Sequence, residues 1–231
     1  MAEKSTELIH SAMITKDPSK LRLKPNLQNY EQSRKNFKWS DADNMVDWFP
    51  GGKINMAYNA IDRHAKGKKK DKIALIFDDG QGHVEKFTFG QLGALTSKFA
   101  NVLKKLGIKR QERVFFFLQR SPELYAGFLG AIKYGAIASP MFPAFGPDAI
   151  RDRLLDSGAV ALVTDSELKS RVYEVKNLLP ELKHMIIVGK DAAAGELSWE
   201  KEMAEASDMC GATPMDPEEF SYMLYTSGTT G

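Results

Sequence analysis

The sequence predicts an α/β fold: a largely parallel sheet flanked by helices. Three observations carry the α/β part. From about residue 71 onward, short β-type apolar runs alternate with longer stretches whose apolar residues recur at helical spacing. Strand-like and helix-like runs are separated by glycine stops and capping residues, the pattern that builds parallel sheets with helical crossovers. The 231 residues are 43% hydrophobic and 27% charged, enough apolar material for a sizeable core. Two segments are expected: 1–70, an N-terminal extension and linker packing on the body, and 71–231, an α/β subdomain ending at a loop of glycines and hydroxyls.

Residues 1 to about 40 are polar, with weak helical periodicity around "LQNYEQSRKNFKW" and fraying expected at the first residues. "WFPGGKINMAYNAIDRH", 48–64, predicts a tight turn at Gly51 and Gly52, then a helix packing through Ile54, Met56, Tyr58, Ile61 and His64. The lysine run "AKGKKKDK" reads as a solvated linker, its alternative use being phosphate attraction. "KIALIF" and "VEKFTF", joined by "DDGQGH", predict a hairpin. "FGQLGALTSKFANVLKKLG" places Leu92, Leu95, Phe99, Val102, Leu103 and Leu106 on one helical face and stops at Gly107. "RVFFFL" reads as a strand buried on both faces. "SPELYAGFLGAIKYG" follows as a helix with Ser121 as N-cap, Pro122 in its first position and Gly135 as its stop. Then come "AIASPMF" as a strand, "GPDAIRDRLLDSG" as a helix, "AVALVT" as a strand, "SELKSRVYEVKNLLP" as a helix and "HMIIVG" as a strand. "FSYMLY" predicts a last strand running straight into "TSGTTG".

The charge balance excludes some functions. With 32 basic and 30 acidic residues the net charge is +2, which argues against broad capture of nucleic acid or membrane. The single cysteine, Cys210, can form no intrachain disulfide and has no activating neighbour. Four scattered histidines lack metal-ligand spacing, so no structural metal is expected. No stretch approaches the roughly 18 apolar residues of a membrane span, and the first residues are too polar for a secretory signal. A cytoplasmic location is expected.

In open α/β sheets ligands collect at the carboxyl ends of the strands. Two such places stand out, "FPAFGPDAI" after "AIASPM", and "TSGTTG", Thr226 to Gly231, after "FSYMLY". In the second, backbone amides and hydroxyls can turn toward an anion, which suits a triphosphate. It is not a Walker A loop, and a Ser/Thr/Gly hexapeptide taken alone is more often a flexible loop.

The whole string "YTSGTTG" resembles the phosphate-loop signature of the acyl-adenylate-forming superfamily, where it usually continues with Pro-Lys-Gly. Residues 48–64 resemble the signature near the start of AMP-forming acetyl-CoA synthetases and their short-chain relatives, and residues 120–164 match the next block of that group. The resemblance covers most of residues 30–231 and implies the N-terminal portion of a longer enzyme.

Its implied chemistry is activation of a carboxylate, here acetate, at the α-phosphate of ATP, followed by transfer of the acyl group to coenzyme A, usually with Mg2+. By the same resemblance Thr226, Ser227, Gly228, Thr229, Thr230 and Gly231 cradle the β- and γ-phosphates, with Thr226 and Thr229 the most useful hydroxyls. Phe142 packs near the adenine of coenzyme A, and Lys169 and Arg171 face its phosphates. Relatives commonly carry Gly-Gly where this chain has Pro143 and Ala144, and they space their two arginines differently. Phe142 and Phe145 read equally as core, and Lys169 and Arg171 as a solvated helix face. Arg120 reads as a local cap or ion-pair partner. No residue of this stretch is assigned catalysis, His64 and His184 included. In the family the acyl pocket, the acidic motif for ribose and magnesium, the hinge and the mobile C-terminal domain lie beyond the phosphate loop. The chain alone is therefore expected to be inactive, with the rest of the same enzyme as its partner and self-association left open. The alternatives are another short-chain acyl-CoA synthetase, a non-catalytic nucleotide- or CoA-binding subunit, and a purely structural domain.

Overall fold

The computed structural model of the chain describes residues 17–226, as two units, 17–46 and 47–226, each taken by itself. In the first, helices α1 (Tyr30–Asn36) and α2 (Trp39–Asp43) follow a short turn at Pro18–Lys20. Asn29 caps α1 by accepting the Gln32 N–H at 3.0 Å. Neither helix buries a residue.

The second unit opens on the expected turn, with Gly51 at φ +78° and Gly52 at φ +71°, conformations that favour glycine. The helix expected next is a π-turn, Tyr58–Asp62, running into the single turn α3, Arg63–Ala65. Its packed face differs from the expected one. Ile54 precedes the helix and bridges Met215, and Met56 is exposed, whereas Asn55, Ala57, Ile61 and Asp62 are buried. Wider winding rotates the buried face away from the 3.6-residue spacing.

Strands β1 (Ile73–Asp78) and β2 (Val84–Thr88) form the expected antiparallel hairpin, a sheet of its own. Thr88 and Gln91 then start helix α4 (Phe89–Lys105) with a reciprocal capping box, their two bonds measuring 2.9 and 3.2 Å. The main sheet is built from β3 (Arg113–Phe117), β4 (Ile137–Met141), β5 (Ala161–Asp165), β6 (His184–Val188) and β7 (Leu197–Ser198). All pairings are parallel, in the order β4-β3-β5-β6-β7. Helices α5 (Pro122–Tyr134), α6 (Pro147–Ser157), α7 (Lys169–Tyr173) and α8 (Trp199–Glu205) complete the unit. Ser121 caps α5, Pro122 opens it, and Gly135 at φ +93° ends it, as the residues predicted.

Both faces of the sheet are filled. Val114, Phe116, Ala138, Val163 and Ile186 meet Phe99 and Leu103 of α4, Ile132 of α5 and Trp199 of α8. Phe115, Phe117, Leu162 and Ile187 meet Ile150 and Leu154 of α6 and Val172 of α7. Burial on both sides accounts for the continuous apolar run "RVFFFL".

Besides the π-turn, the later part of the chain departs from expectation in several elements. The helix expected over 166–180 is only α7 and a 3-10 turn at Lys176–Leu178. The strand expected in "FSYMLY" is a single parallel bridge between Tyr222 and Ala138, made by Ala138 N–H to Ser221 O at 3.2 Å and Met223 N–H to Ala138 O at 2.9 Å. The cause lies in β4: backbone groups facing this edge alternate, and after Ala138 the next in line is Pro140, which has no N–H to extend the ladder. Finally, β7 and α8 have no counterpart among the expected elements, although Ser198 caps α8 by accepting the Lys201 N–H at 3.2 Å.

A polar knot fastens residues 55–62 beneath the helices. Lys133 Nζ donates to Asp62 Oδ1 at 2.8 Å and to Ser97 Oγ at 2.7 Å. Asn55 Nδ2 donates to Ile132 O and Thr213 O, both at 3.0 Å, tying the last turn of α5 to residue 213. Among the described residues no helix is long and apolar enough to cross a membrane.

Candidate functional site

A cleft of about 960 Å³ lies at the carboxyl ends of β3 and β4, walled on one side by Phe77 to Asp79 of the hairpin. The loop after β4 supplies Phe142, Pro143 and Ala144, and Arg171 reaches in from α7. Phe142 is 63% exposed, its ring edge-on to Phe145 with centroids 6.0 Å apart. It is therefore not core. Arg171 Nη1 donates to Pro143 O at 2.7 Å and Phe145 O at 3.2 Å, so this guanidinium pins the loop that carries Phe142.

Lys169 sits elsewhere. Its Nζ donates to Asp191 O and pairs at 3.3 Å with Glu196, a carboxylate whose side chain is 1% exposed. Glu196 also accepts from Tyr173 and, at 2.7 Å, from the Ala193 N–H. The structure thus brings Phe142 and Arg171 together in the cleft and leaves Lys169 holding the loop 191–196.

Arg120 corrects the sequence reading. Ser121 makes the cap, while Arg120 is exposed, lines the cleft and has no hydrogen bond or ion pair with another described residue. Its place just past β3 is where the strand-end rule looks, so the signal was present. On the opposite wall Asp79 Oδ1 accepts the Gln81 N–H at 2.7 Å and the His83 N–H at 3.0 Å. The bond from Gln81 above all holds the Asp79 carboxyl below its ordinary value.

Of the expected phosphate loop, Thr226 is described, and Ser227, Gly228, Thr229, Thr230 and Gly231 lie outside the described residues. The segment leading to it is anchored: Tyr225 OH donates to Asp156 Oδ2 of α6 at 2.6 Å, and its ring packs 6.5 Å from that of Phe115. Burial first, and this bond second, push the Tyr225 ionisation from 10.0 up to about 12. A phenol that holds its proton more tightly folded than unfolded adds stability that is full below about pH 10 and lost as the pH rises toward 12. An ultraviolet titration of the wild type minus Tyr225→Phe is expected to show one phenol ionising near 12. One ionising at the ordinary value would refute the contact with Asp156. No group of three or more described His, Cys, Asp and Glu residues gathers as a metal site.

A five-stranded parallel sheet with helices on both faces and a cleft at its carboxyl end defines an open α/β domain of the kind that binds ligands past its strand ends. The crystal structure of an acyl-CoA synthetase from Brucella canis superposes with a TM-score of 0.80 at 28% identity, over 87% of this chain and 36% of that one. An anthranilate CoA ligase in complex with anthranoyl-AMP gives 0.73 at 27% identity, over 84% and 35%. The chain belongs to the AMP-binding enzyme family, whose profile matches residues 61–231. The acetyl-coenzyme A synthetase of Bacillus subtilis (strain 168) is 41% identical over 209 residues, 89% of this chain and 36% of that protein. That of Desulfatibacillum aliphaticivorans is 36% identical over 207 residues, 83% of this chain and 32% of its own. The chain spans about a third of the length of these relatives. The family resemblance carried by "YTSGTTG" and by residues 48–64 is borne out.

Proposed function

We propose that this chain supplies the ATP-phosphate and coenzyme A regions of an AMP-forming acyl-CoA synthetase acting on acetate in the cytoplasm. One observation carries the reading. Tyr222 bridges Ala138 in parallel, so the backbone leading to Thr226 leaves the sheet at the same end as the loop bearing Phe142. A nucleotide held by the first and a thiol cofactor held by the second would share one edge of the sheet.

In the proposed reaction the acetate carboxylate attacks the α-phosphate of ATP, and the P–O bond to pyrophosphate breaks. The thiolate of coenzyme A then attacks the acyl carbon and AMP leaves. Residues Thr226 to Gly231 hold the departing β- and γ-phosphates with amides and hydroxyls, which orients the leaving group and spreads its charge. Phe142 lies against the adenine of coenzyme A. Arg171 is the cation assigned to its phosphates, Arg120 faces the same cleft, and Lys169, held by Glu196, is left out of the assignment. Mg2+ would accompany the ATP phosphates and neutralise part of their charge. Activity is assigned to a polypeptide of the relatives' length that carries this chain, and none to the chain alone.

The test is acetate-dependent exchange of labelled pyrophosphate into ATP, run on the chain and on a longer polypeptide containing it. Exchange is expected only in the latter, falling by about 100-fold or more when positions 226–231 are scrambled, the scale of losing oxyanion donors. Exchange that survives the scrambling sinks the proposal, and coenzyme A binding with no exchange in either would make the chain a binding subunit. A larger kcat/KM for propionate or butyrate than for acetate would reassign the carboxylate.

A further inference from the structure

We propose that Arg153 is a positioning residue that joins the two ligand regions, holding the loop after β4 and the backbone leading to Thr226 as one unit; this rests on the function proposed above. Arg153 and Asp156 lie three residues apart on α6 and so face the same way. The Arg153 guanidinium stands 4.2 Å from the centroid of the Phe145 ring and 5.5 Å from that of Tyr225. Both distances fall within cation–π range. Nearly one turn further along, Asp156 takes the Tyr225 hydroxyl.

The hydrogen bonds of Arg153 do not explain its placement. Nη1 donates to Ala149 O at 2.9 Å, one turn back on its own helix, while Nε is buried with no hydrogen-bond partner among the described residues. Burying a donor of a cation without a partner is costly. What holds the group is therefore the pair of ring faces, and a planar guanidinium serves two rings where a lysine ammonium would not. Phe145 is itself fixed from the far side, since its carbonyl and that of Pro143 accept from Arg171. Contacts run without a break from Arg171 through the loop to Phe145, then Arg153, Tyr225 and Asp156. Tyr225 directly precedes Thr226, so a shift of Phe145 is felt at the phosphate side and the reverse. Adenylation uses one end of this connection and thioester formation the other, which gives both half-reactions a common dependence on α6.

Two measurements test the inference separately from the function. Amide hydrogen exchange on this chain reports the joint itself. The Phe145 N–H is bonded to Phe142 O at 3.0 Å and the Met223 N–H to Ala138 O at 2.9 Å. In Arg153→Lys and Arg153→Met both amides are expected to exchange on the order of tenfold faster, in proteins that still unfold cooperatively in urea. Acceleration of one amide alone, or of neither, overturns the joint. In a longer polypeptide active in pyrophosphate exchange, Arg153→Lys is expected to raise KM for ATP and KM for coenzyme A together, each about tenfold, with kcat changed less. If the wild type exchanges pyrophosphate and the variant moves neither KM, or only one, the positioning role fails. If the wild type shows no exchange, the function reading fails while the amide measurement still decides the joint.

Discussion

Asp62→Leu is expected to lower the unfolding free energy by about 3–5 kcal/mol, because it strands a buried ammonium group. Lys133 and Asp62 meet at 2.8 Å with side chains 3% and 5% exposed, and Ser97 Oγ completes the contact at 2.7 Å. With the carboxylate gone, Lys133 must either lose its charge or draw water in. A cleft of about 500 Å³ reaches Asp62, Ser97 and Lys133, and water entering it sets the loss toward the lower end of that range. Adding Lys133→Met removes the stranded charge, so the double variant is expected within about 1–2 kcal/mol of the wild type. Urea denaturation with a common m-value measures both. A single variant as stable as the parent would show that the pair contributes nothing, and a double variant as damaged as the single would place the loss in packing.

Phe116→Ala is expected to cost about 3–5 kcal/mol, the range for deleting a buried aromatic ring. Phe116 is fully buried on β3, with ring centroids 5.9 Å from Phe99 and 6.3 Å from Phe128. Its ring also fills the space that a side chain on α5 would take: a Cβ on Gly127 would stand 2.5 Å from Cε1 of Phe116. Gly127→Ala should therefore destabilise the wild type by about 1–3 kcal/mol from overpacking, in spite of a helix-propensity gain of about 1. In a Phe116→Leu background the clash is relieved and the propensity gain remains, so Gly127→Ala should there be neutral or stabilising. A double-mutant cycle reads this reversal of sign as coupling between the two positions. Additive effects would sink the account of Gly127 as a glycine required by the ring.

Much of the fold was legible because its signals are local. Ser121, Pro122 and Gly135 bound α5 through groups within four residues of each end, and Thr88 with Gln91 starts α4 in the same way. The hairpin needed only two β-type runs around "DDGQGH". The π-turn at Tyr58–Asp62 was hidden because its composition is that of an ordinary helix. The bridge at Tyr222 was overread as a strand because the limiting residue, Pro140, lies in a different strand 82 positions away.

The site divides in the same way. The strand-end rule points to the loop after β4, while Phe142 within it and Arg171 come with the family resemblance; both residues line the cleft. Lys169 was placed with Arg171, yet its partner Glu196 is 27 residues on, brought near by the path of the chain after β6. The sequence reads Arg120 as a local cap or ion-pair partner, whereas the neighbouring Ser121 makes the cap. The contacts of Arg153 with Phe145 and Tyr225 had no sequence signal at all, since Tyr225 lies 72 residues from it.

The sequence by itself determined most of the helices and strands from β1 to β6, where most of them stop, and the family of the loop at Tyr225. Those properties depend on side chains and backbone groups a few residues apart, whose geometry is the same in any fold. Only the tertiary structure decided that Asp62 neutralises Lys133, that Lys169 is held by Glu196, and that one arginine on α6 touches both Phe145 and Tyr225. Those pairings are made by sheet order and helix packing, which bring together groups that the chain itself keeps 71, 27 and 72 residues apart.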